Sequence, residues 1–261
     1  MMIDLPGVRI HCQAKGAGPC TILVHGMGGD LHGWDRFWPL LGAGRRWLRY
    51  DLRDFGRSTA RSDAAFTHVG DLAELLDALA IDRCDLVGAS MGGGVALGFA
   101  LDHPQRVGRL VLISPQIAGW EWSEGWQVRW QPMLEAARAG RMEEAKRLWW
   151  QHPMFDTIRE TAAADDLRQE IARFAGRQWL RDNHAPVMPD IERLHGLKPP
   201  TLLLTGEADM AEFQLMADIV EASSSQVRRV VVPGRGHLLH LEVPERCADE
   251  TATFLNAATA A

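Results

Sequence analysis

The stretch DLVGASMGGGVAL, residues 85–97, decides how this chain is read. A short aliphatic run leads straight into Ser90, which is ringed by Gly88, Gly92, Gly93 and Gly94, and helix-forming residues follow. Glycine inside an element costs about 0.5–1 kcal/mol relative to alanine, so four of them mark a backbone path that side chains would obstruct. A glycine two before and two after a serine, with a strand ahead and a helix behind, is the G-x-S-x-G pattern of a sharp corner that holds the hydroxyl at its apex. Gly93 and Gly94 then let the helix approach the sheet closely.

Outward from this corner, short aliphatic runs alternate with helical patterns. CTILVHG (20–26), RWLRYDL (46–52), RCDLVGA (83–89), RLVLIS (109–114), TLLLTG (201–206) and VRRVVVPG (227–234) read as strands covered on both faces. The segments 68–81, 91–103 and 245–258 carry apolar residues at helical spacing or read as buried helix. This order predicts an α/β fold with a doubly wound, mostly parallel sheet, and GVRIHCQAKG near the amino terminus as an antiparallel edge hairpin. The alternation stops between about residues 115 and 197, where the short helical patterns SEGWQVRW, PMLEAARAG, MEEAKRLWW and DDLRQEIARFAGRQWL are punctuated by Pro132, Gly140, Pro153 and Pro186. The expected organisation is a core of residues 1–114 and 198–261 with a helical cap inserted at 115–197.

The cap holds Trp120, Trp122, Trp126, Trp130, Trp149, Trp150 and Trp179, out of ten tryptophans in the chain. Such density serves either to build a small core or to line a pocket. Trp122, Trp126 and Trp130 fall at i, i+4 and i+8 on one helical stripe, while the neighbours Trp149 and Trp150 must face different ways. Trp122, Trp126, Trp149 and Trp150 are the candidate substrate-binding residues.

Composition excludes several function classes. A formal net charge of −6 with scattered basic residues offers no footprint for nucleic acid. No window approaches the apolar length of a membrane span, and MMIDLPGVRI lacks the basic and apolar regions of a secretory leader, so a cytoplasmic protein is expected. Cys12, Cys20, Cys84 and Cys247 show no CxxC spacing and read as buried free thiols. No metal-binding pattern is present, and HGMGGD lacks the G-K-[ST] ending of a phosphate loop, so no cofactor is expected.

A serine hydroxyl is a weak nucleophile and needs a base, which in turn needs a carboxylate to hold its tautomer. His237 follows the last strand on a glycine-rich loop and is the first choice as base; His240, three residues on, is the second. Asp209 in LLLTGEADM is the first choice as the acid, with Glu207 and the cap residue Glu121 as alternatives. Backbone N–H groups of Met91, directly after the serine, and of Met27, in LVHGMGGD, are the candidate oxyanion donors. His25 reads as an organiser of that loop.

With HGMGGDLHGW, DLRDFGRS, GASMGGG, TGEAD and GRGHLLHLEVPE in this order, the chain resembles the α/β-hydrolase superfamily over nearly its whole length. The flow of residues 90–114 is similar to enol-lactonases and small carboxylesterases. DLRDFGRS resembles the superfamily's D-x-R-G-x-G-x-S loop with Asp54 in place of a glycine. The resemblance implies a hydrolase of a small, largely apolar carboxylic ester or lactone. Branches with an aspartate nucleophile are set aside by Ser90. Carbon-carbon hydrolases of ring-cleavage products, which read G-N-S-M-G-G with a tryptophan after the histidine, are the alternative, although Ala89 and Leu238 stand at those places. A non-catalytic ligand receptor on the same fold is the remaining one.

Overall fold

A computed structural model describes residues 1–181 and 183–257. The expected closing helix ran to 258, the core boundary to 261, and the cap across 182; those positions lie outside the described residues.

Among the described residues nine strands form one sheet: β1 (Met2–Leu5), β2 (Val8–Lys15), β3 (Cys20–Val24), β4 (Arg46–Tyr50), β5 (Thr59–Ala60), β6 (Cys84–Ala89), β7 (Val107–Ile113), β8 (Thr201–Gly206) and β9 (Val227–Val232). Their order is β1-β2-β4-β3-β6-β7-β8-β9, with β5 beside β2. From β4 through β9 every neighbour in this path is parallel, and β2 is antiparallel to β1, β4 and β5. The edge hairpin differs from the expectation in extent. GVRIHCQAKG contributes the single strand β2, and its partner is the preceding β1.

The central strands are aliphatic because both faces are covered. Successive side chains point to opposite sides, so Ile22, Leu86 and Leu112 pack on the face shared with Leu72, Leu76, Val95 and Phe99. Their neighbours Leu23, Val87 and Val111 meet Trp34, Phe37, Cys247 and Leu255 on the other. The helices that cover the sheet are α1 (His68–Ala78) and α2 (Met91–Asp102), and later α8 (Ala211–Ser223), α9 (Leu239–Glu242) and α10 (Pro244–Asn256). All four cysteines are buried and free. Among the described residues no helix is long and apolar enough to cross a membrane.

Between β7 and β8 lie α3 (Glu124–Arg138), α4 (Met142–Trp150), α5 (Asp156–Arg159), α6 (Ala164–Arg173) and α7 (Arg177–Leu180). Two boundaries differ from the sequence reading. Pro132 does not divide SEGWQVRW from PMLEAARAG; α3 runs through it. Proline removes one backbone bond, and burial of Trp126, Met133, Ala136 and Ala137 along one face holds the helix together. The run DDLRQEIARFAGRQWL instead splits into α6 and α7, because Phe174 turns extended with ψ 124° at the end of α6 and Gly176 takes a left-handed φ of 69° before α7 begins. The cap is tied to α8 by Glu212, which accepts hydrogen bonds from Trp120 Nε1 at 3.0 Å and from the Ser123 hydroxyl.

Candidate active site

The corner at Ser90 is built from backbone crowding. Ser90 has φ 53° and ψ −120°, a conformation that costs a non-glycine residue about 1–3 kcal/mol and persists only where its surroundings enforce it. They do so with three bonds: Ser90 N–H donates to the Ile113 carbonyl at 2.9 Å, and the Ser90 carbonyl accepts from Gly94 at 3.1 Å and Gln116 at 3.0 Å. A Cβ on Gly88 would overlap the Gly92 carbonyl, and one on Gly92 would overlap the carbonyl oxygens of Val24 and His25. The glycines therefore let β6, the turn and α2 pass against β3.

Three strand ends converge here. Ser90 follows β6, Asp209 follows β8 and His237 follows β9, all at the carboxyl edge of the parallel sheet. His237 Nε2 lies 2.8 Å from Ser90 Oγ, and Nδ1 lies 3.0 and 3.1 Å from the two carboxylate oxygens of Asp209. A carboxylate only accepts, so Nδ1 carries the proton and Nε2 is left to accept from the serine hydroxyl. Asp209 also accepts from Met210 N–H at 2.7 Å, which fixes the carboxylate plane. The side chains of His237 and Asp209 are each 1% exposed, so water does not compete for this pair.

The other candidates for base and acid are otherwise engaged. His240 is buried with its ring 4.7 Å from that of Trp34, and burial pushes its pKa down to about 3. Glu207 accepts from Gly234 N–H at 2.9 Å, bracing the loop before His237, and Glu121 is exposed in the connection before α3. His25 Nε2 accepts from Leu52 N–H at 3.0 Å, so its Nδ1 donates to the Gly26 carbonyl at 2.9 Å, and burial holds the ring neutral. This pins Gly26 against the corner, where a Cβ would sit 3.3 Å from Ser90 Cβ. Met27 comes next on this loop. Met91 opens α2, where its N–H has no intrahelical acceptor. Asp54 adopts φ 65° at the position where a glycine is usual and accepts from Ala60 N–H at 3.1 Å.

Ser90 and His237 open into a cavity of about 410 Å³ between the strand ends and the cap. Its cap wall is an aromatic ladder. Trp122 and Trp126 stack at 4.0 Å, Trp126 and Trp130 at 5.7 Å, and Trp130 meets Trp149 edge-on at 5.3 Å. Phe213 of α8 closes the end nearest the base, its ring 4.1 Å from that of His237. Trp122, Trp126, Trp130 and Trp149 line the cavity. Trp150 is a correction: it lies outside the cavity, with the guanidinium groups of Arg168 and Arg159 at 4.6 and 6.0 Å from its ring. Adjacent helical residues point about 100° apart, so burying Trp149 turns Trp150 away.

Phe213 and Glu170 are among the cavity residues that the sequence does not single out. Phe213 sits in an ordinary amphipathic helix and carries no signal. Glu170 does carry one, for it interrupts the apolar stripe of Leu167 and Ile171 on α6, all three facing the cavity. Met91 turns its side chain toward a neighbouring cavity of about 360 Å³, which Met27 and Gln116 share with the first.

Buried neutral histidines around the site make stability depend on acid. Burial lowers the pKa of His152 to about 4 and of His240 to about 3. Below the ordinary histidine value of about 6.5 the unfolded chain takes up protons that the native state refuses, so stability is full above that value and falls as pH drops toward 4. Each histidine contributes a loss of up to about 1.4 kcal/mol per pH unit in that window. Urea midpoints measured between about pH 7 and 4.5 should fall steeply, and less steeply in His152→Gln and His240→Asn; identical slopes in the variants would contradict the assignment.

A family model described as alpha/beta hydrolase fold matches residues 21–244. A putative carbamate hydrolase, RutD, of Variovorax paradoxus is 31% identical over 212 residues, covering 77% of this chain and 78% of that protein. The 2-hydroxymuconate semialdehyde hydrolase of Pseudomonas sp. strain CF600 is 36% identical over 130 residues, covering 48% of this chain and 46% of its own length. In that enzyme and in the 2-hydroxy-6-oxo-6-phenylhexa-2,4-dienoate hydrolase of Burkholderia cepacia, the match thus spans less than half of the relative. Among solved structures, the enol-lactonase of Burkholderia xenovorans LB400 superposes with a TM-score of 0.84 at 23% identity, covering 98% of this chain and 100% of that one, a likeness of fold. The parallel sheet, the corner at Ser90 and these matches lead to one conclusion: the chain belongs to the alpha/beta hydrolase family.

Proposed function

We propose that this protein hydrolyses a carboxylic ester or lactone of a small, largely apolar substrate through an acyl-enzyme. The observation that carries the reading is the unbroken hydrogen-bonded line from Asp209 through His237 to Ser90. Ser90 Oγ attacks the carbonyl carbon as its proton passes to His237 Nε2, and Asp209 stabilises the imidazolium that results. The carbonyl oxygen becomes an oxyanion, held by the N–H groups of Met27 and Met91. His237 then gives the proton to the departing alkoxide, which in a lactone stays tethered to the acyl group. Water, deprotonated by the same Nε2, attacks the acyl-enzyme, and Ser90 recovers its proton as the acid leaves. The chemistry needs no cofactor. The partner is a small molecule met in the cytoplasm.

The aromatic wall supports an apolar substrate, because Trp122, Trp126 and Trp149 exclude water from the carbonyl and strengthen every charge interaction made there. The second reading, hydrolysis of a carbon-carbon bond in a vinylogous diketone, is favoured by the partial match to 2-hydroxymuconate semialdehyde hydrolase. A screen of p-nitrophenyl esters, simple lactones and a vinylogous diketone separates the two. Esters or lactones should turn over best, and Trp149→Ala should reorder the ester series while Trp150→Ala leaves the ranking alone. Turnover confined to the diketone would replace the first reading with the second.

A further inference from the structure

Among the described residues, one carboxyl group faces the cavity without a partner. Glu170 stands on α6 between Leu167 and Ile171 and lines the same space as Ser90. Among the described residues neither an ion pair nor a hydrogen bond engages its carboxylate. It rests on the glycine loop that begins beside the nucleophile. A Cβ on Gly33 would lie 3.1 Å from Glu170 Oε1, and one on Gly29 would overlap that oxygen. One residue earlier, a Cβ on Gly28 would lie 2.8 Å from Trp149 Nε1. The loop therefore carries, in sequence, Gly26 against Ser90, Gly28 under Trp149, and Gly29 and Gly33 under Glu170. The carboxylate and the Trp149 indole thus sit over neighbouring glycines of one loop, and Trp130, edge-on to Trp149, lines the same cavity.

An unpaired carboxylate in apolar surroundings costs free energy unless something compensates it. Its surroundings add to that cost. Asp30 and Asp35, from the turn after the glycine loop, and Asp166, on its own helix, repel a negative charge there, while Arg173 alone among the named neighbours favours it. Aromatic side chains and a carboxylate lining one cavity, within a negative field, form an environment that favours an organic cation over an anion or a neutral group.

Resting on the hydrolase reading given above, we infer that the substrate carries an organic ammonium group, with Glu170 as its counter-ion and Trp130 and Trp149 as its aromatic walls. The substrate is thereby narrowed to an ester or lactone that is apolar apart from one cationic centre. Glu170 then acts in specificity, and Ser90, His237 and Asp209 keep the chemistry. Desolvation, reinforced by Asp30, pushes the Glu170 carboxyl up to about 8, so that at neutral pH it is mostly protonated until a cation binds. A bound cation requires the ionised form, so affinity for it should rise as pH climbs through that region and level off above it.

The test is equilibrium binding, so that it stands apart from turnover. Choline and its neutral isostere 3,3-dimethylbutan-1-ol are titrated into the full chain while tryptophan fluorescence is followed, at constant ionic strength and at about pH 9, where the Glu170 carboxyl is ionised. Choline should bind about tenfold or more tightly than the alcohol. Glu170→Gln should abolish that preference while keeping affinity for the alcohol, Trp130→Leu should weaken choline severalfold, and Trp150→Phe should change neither. Ser90→Ala should bind choline as the wild type does, so that failed hydrolysis and failed cation recognition are read separately. Equal affinity for choline and the alcohol in the wild type, no choline binding, or a preference that survives Glu170→Gln would overturn the inference.

Discussion

Replacing Ser90 by alanine is expected to lower kcat by roughly 10⁴- to 10⁶-fold while leaving the protein folded. The loss is large because nucleophile, base and acid act as one unit, and the residual rate comes from binding and the oxyanion donors alone. His237→Ala should cost a similar factor, and combining the two should cost little more than either. Asp209→Asn should cost somewhat less, since an amide leaves the ring in place but presents an N–H where a carboxylate accepted the Nδ1 proton, which drives the imidazole into the wrong tautomer. Each variant should unfold near the wild-type midpoint in urea. Near-normal turnover by Asp209→Asn would remove Asp209 from the mechanism and return attention to a cap carboxylate such as Glu121.

The second large effect concerns backbone alone. In Gly92→Ala the new methyl group meets the carbonyl oxygens of Val24 and His25, which belong to the central strand β3 and the loop that braces the corner. Neither is the tip of a flexible side chain, so the strain is relieved only by moving main chain in the middle of the sheet. Overpacking costs about 1–3 kcal/mol even where side chains can give way, and here at least the upper end of that range is expected. A displacement of Ser90 by a fraction of an ångström should also cut kcat/KM by roughly 10²-fold. Gly42→Ala is the control, because nothing lies within 4 Å of its added Cβ, and it should fall within about 0.5 kcal/mol of wild type. Urea unfolding and steady-state kinetics on the two variants check both halves; a Gly92→Ala protein of normal stability and activity would refute the crowding argument.

The parts of this molecule set by local rules could be read from the chain. Runs such as TLLLTG and CTILVHG are strands because a parallel sheet covered on both sides tolerates little else, and Gly88-x-Ser90-x-Gly92 names its own turn. His237 and Asp209 are legible as candidates by place, each shortly after a strand on the rim that carries Ser90, and in the fold they lie in one hydrogen-bonded line with it. What depends on packing between distant segments was hidden. Pro132 looks like a stop, and only the inner face of α3 against the rest of the cap explains why the helix continues. Trp149 and Trp150 are indistinguishable as letters; the fold buries one over the glycine loop and lays the other beside Arg168. Glu170 breaks the apolar stripe of Leu167 and Ile171 in the sequence, but only the fold brings Gly29 and Gly33 beneath its carboxylate.

The account rests on Ser90 being an activated nucleophile, and labelling with an active-site-directed fluorophosphonate tests that most directly. Intact-mass measurement should find one phosphonyl group per chain, and peptide mapping should place it on Ser90. The adduct should be absent from Ser90→Ala and form far more slowly in His237→Ala, because the serine proton then has no acceptor. An unmodified Ser90 in protein that is turning over substrate, or an adduct that persists in Ser90→Ala, would contradict the account.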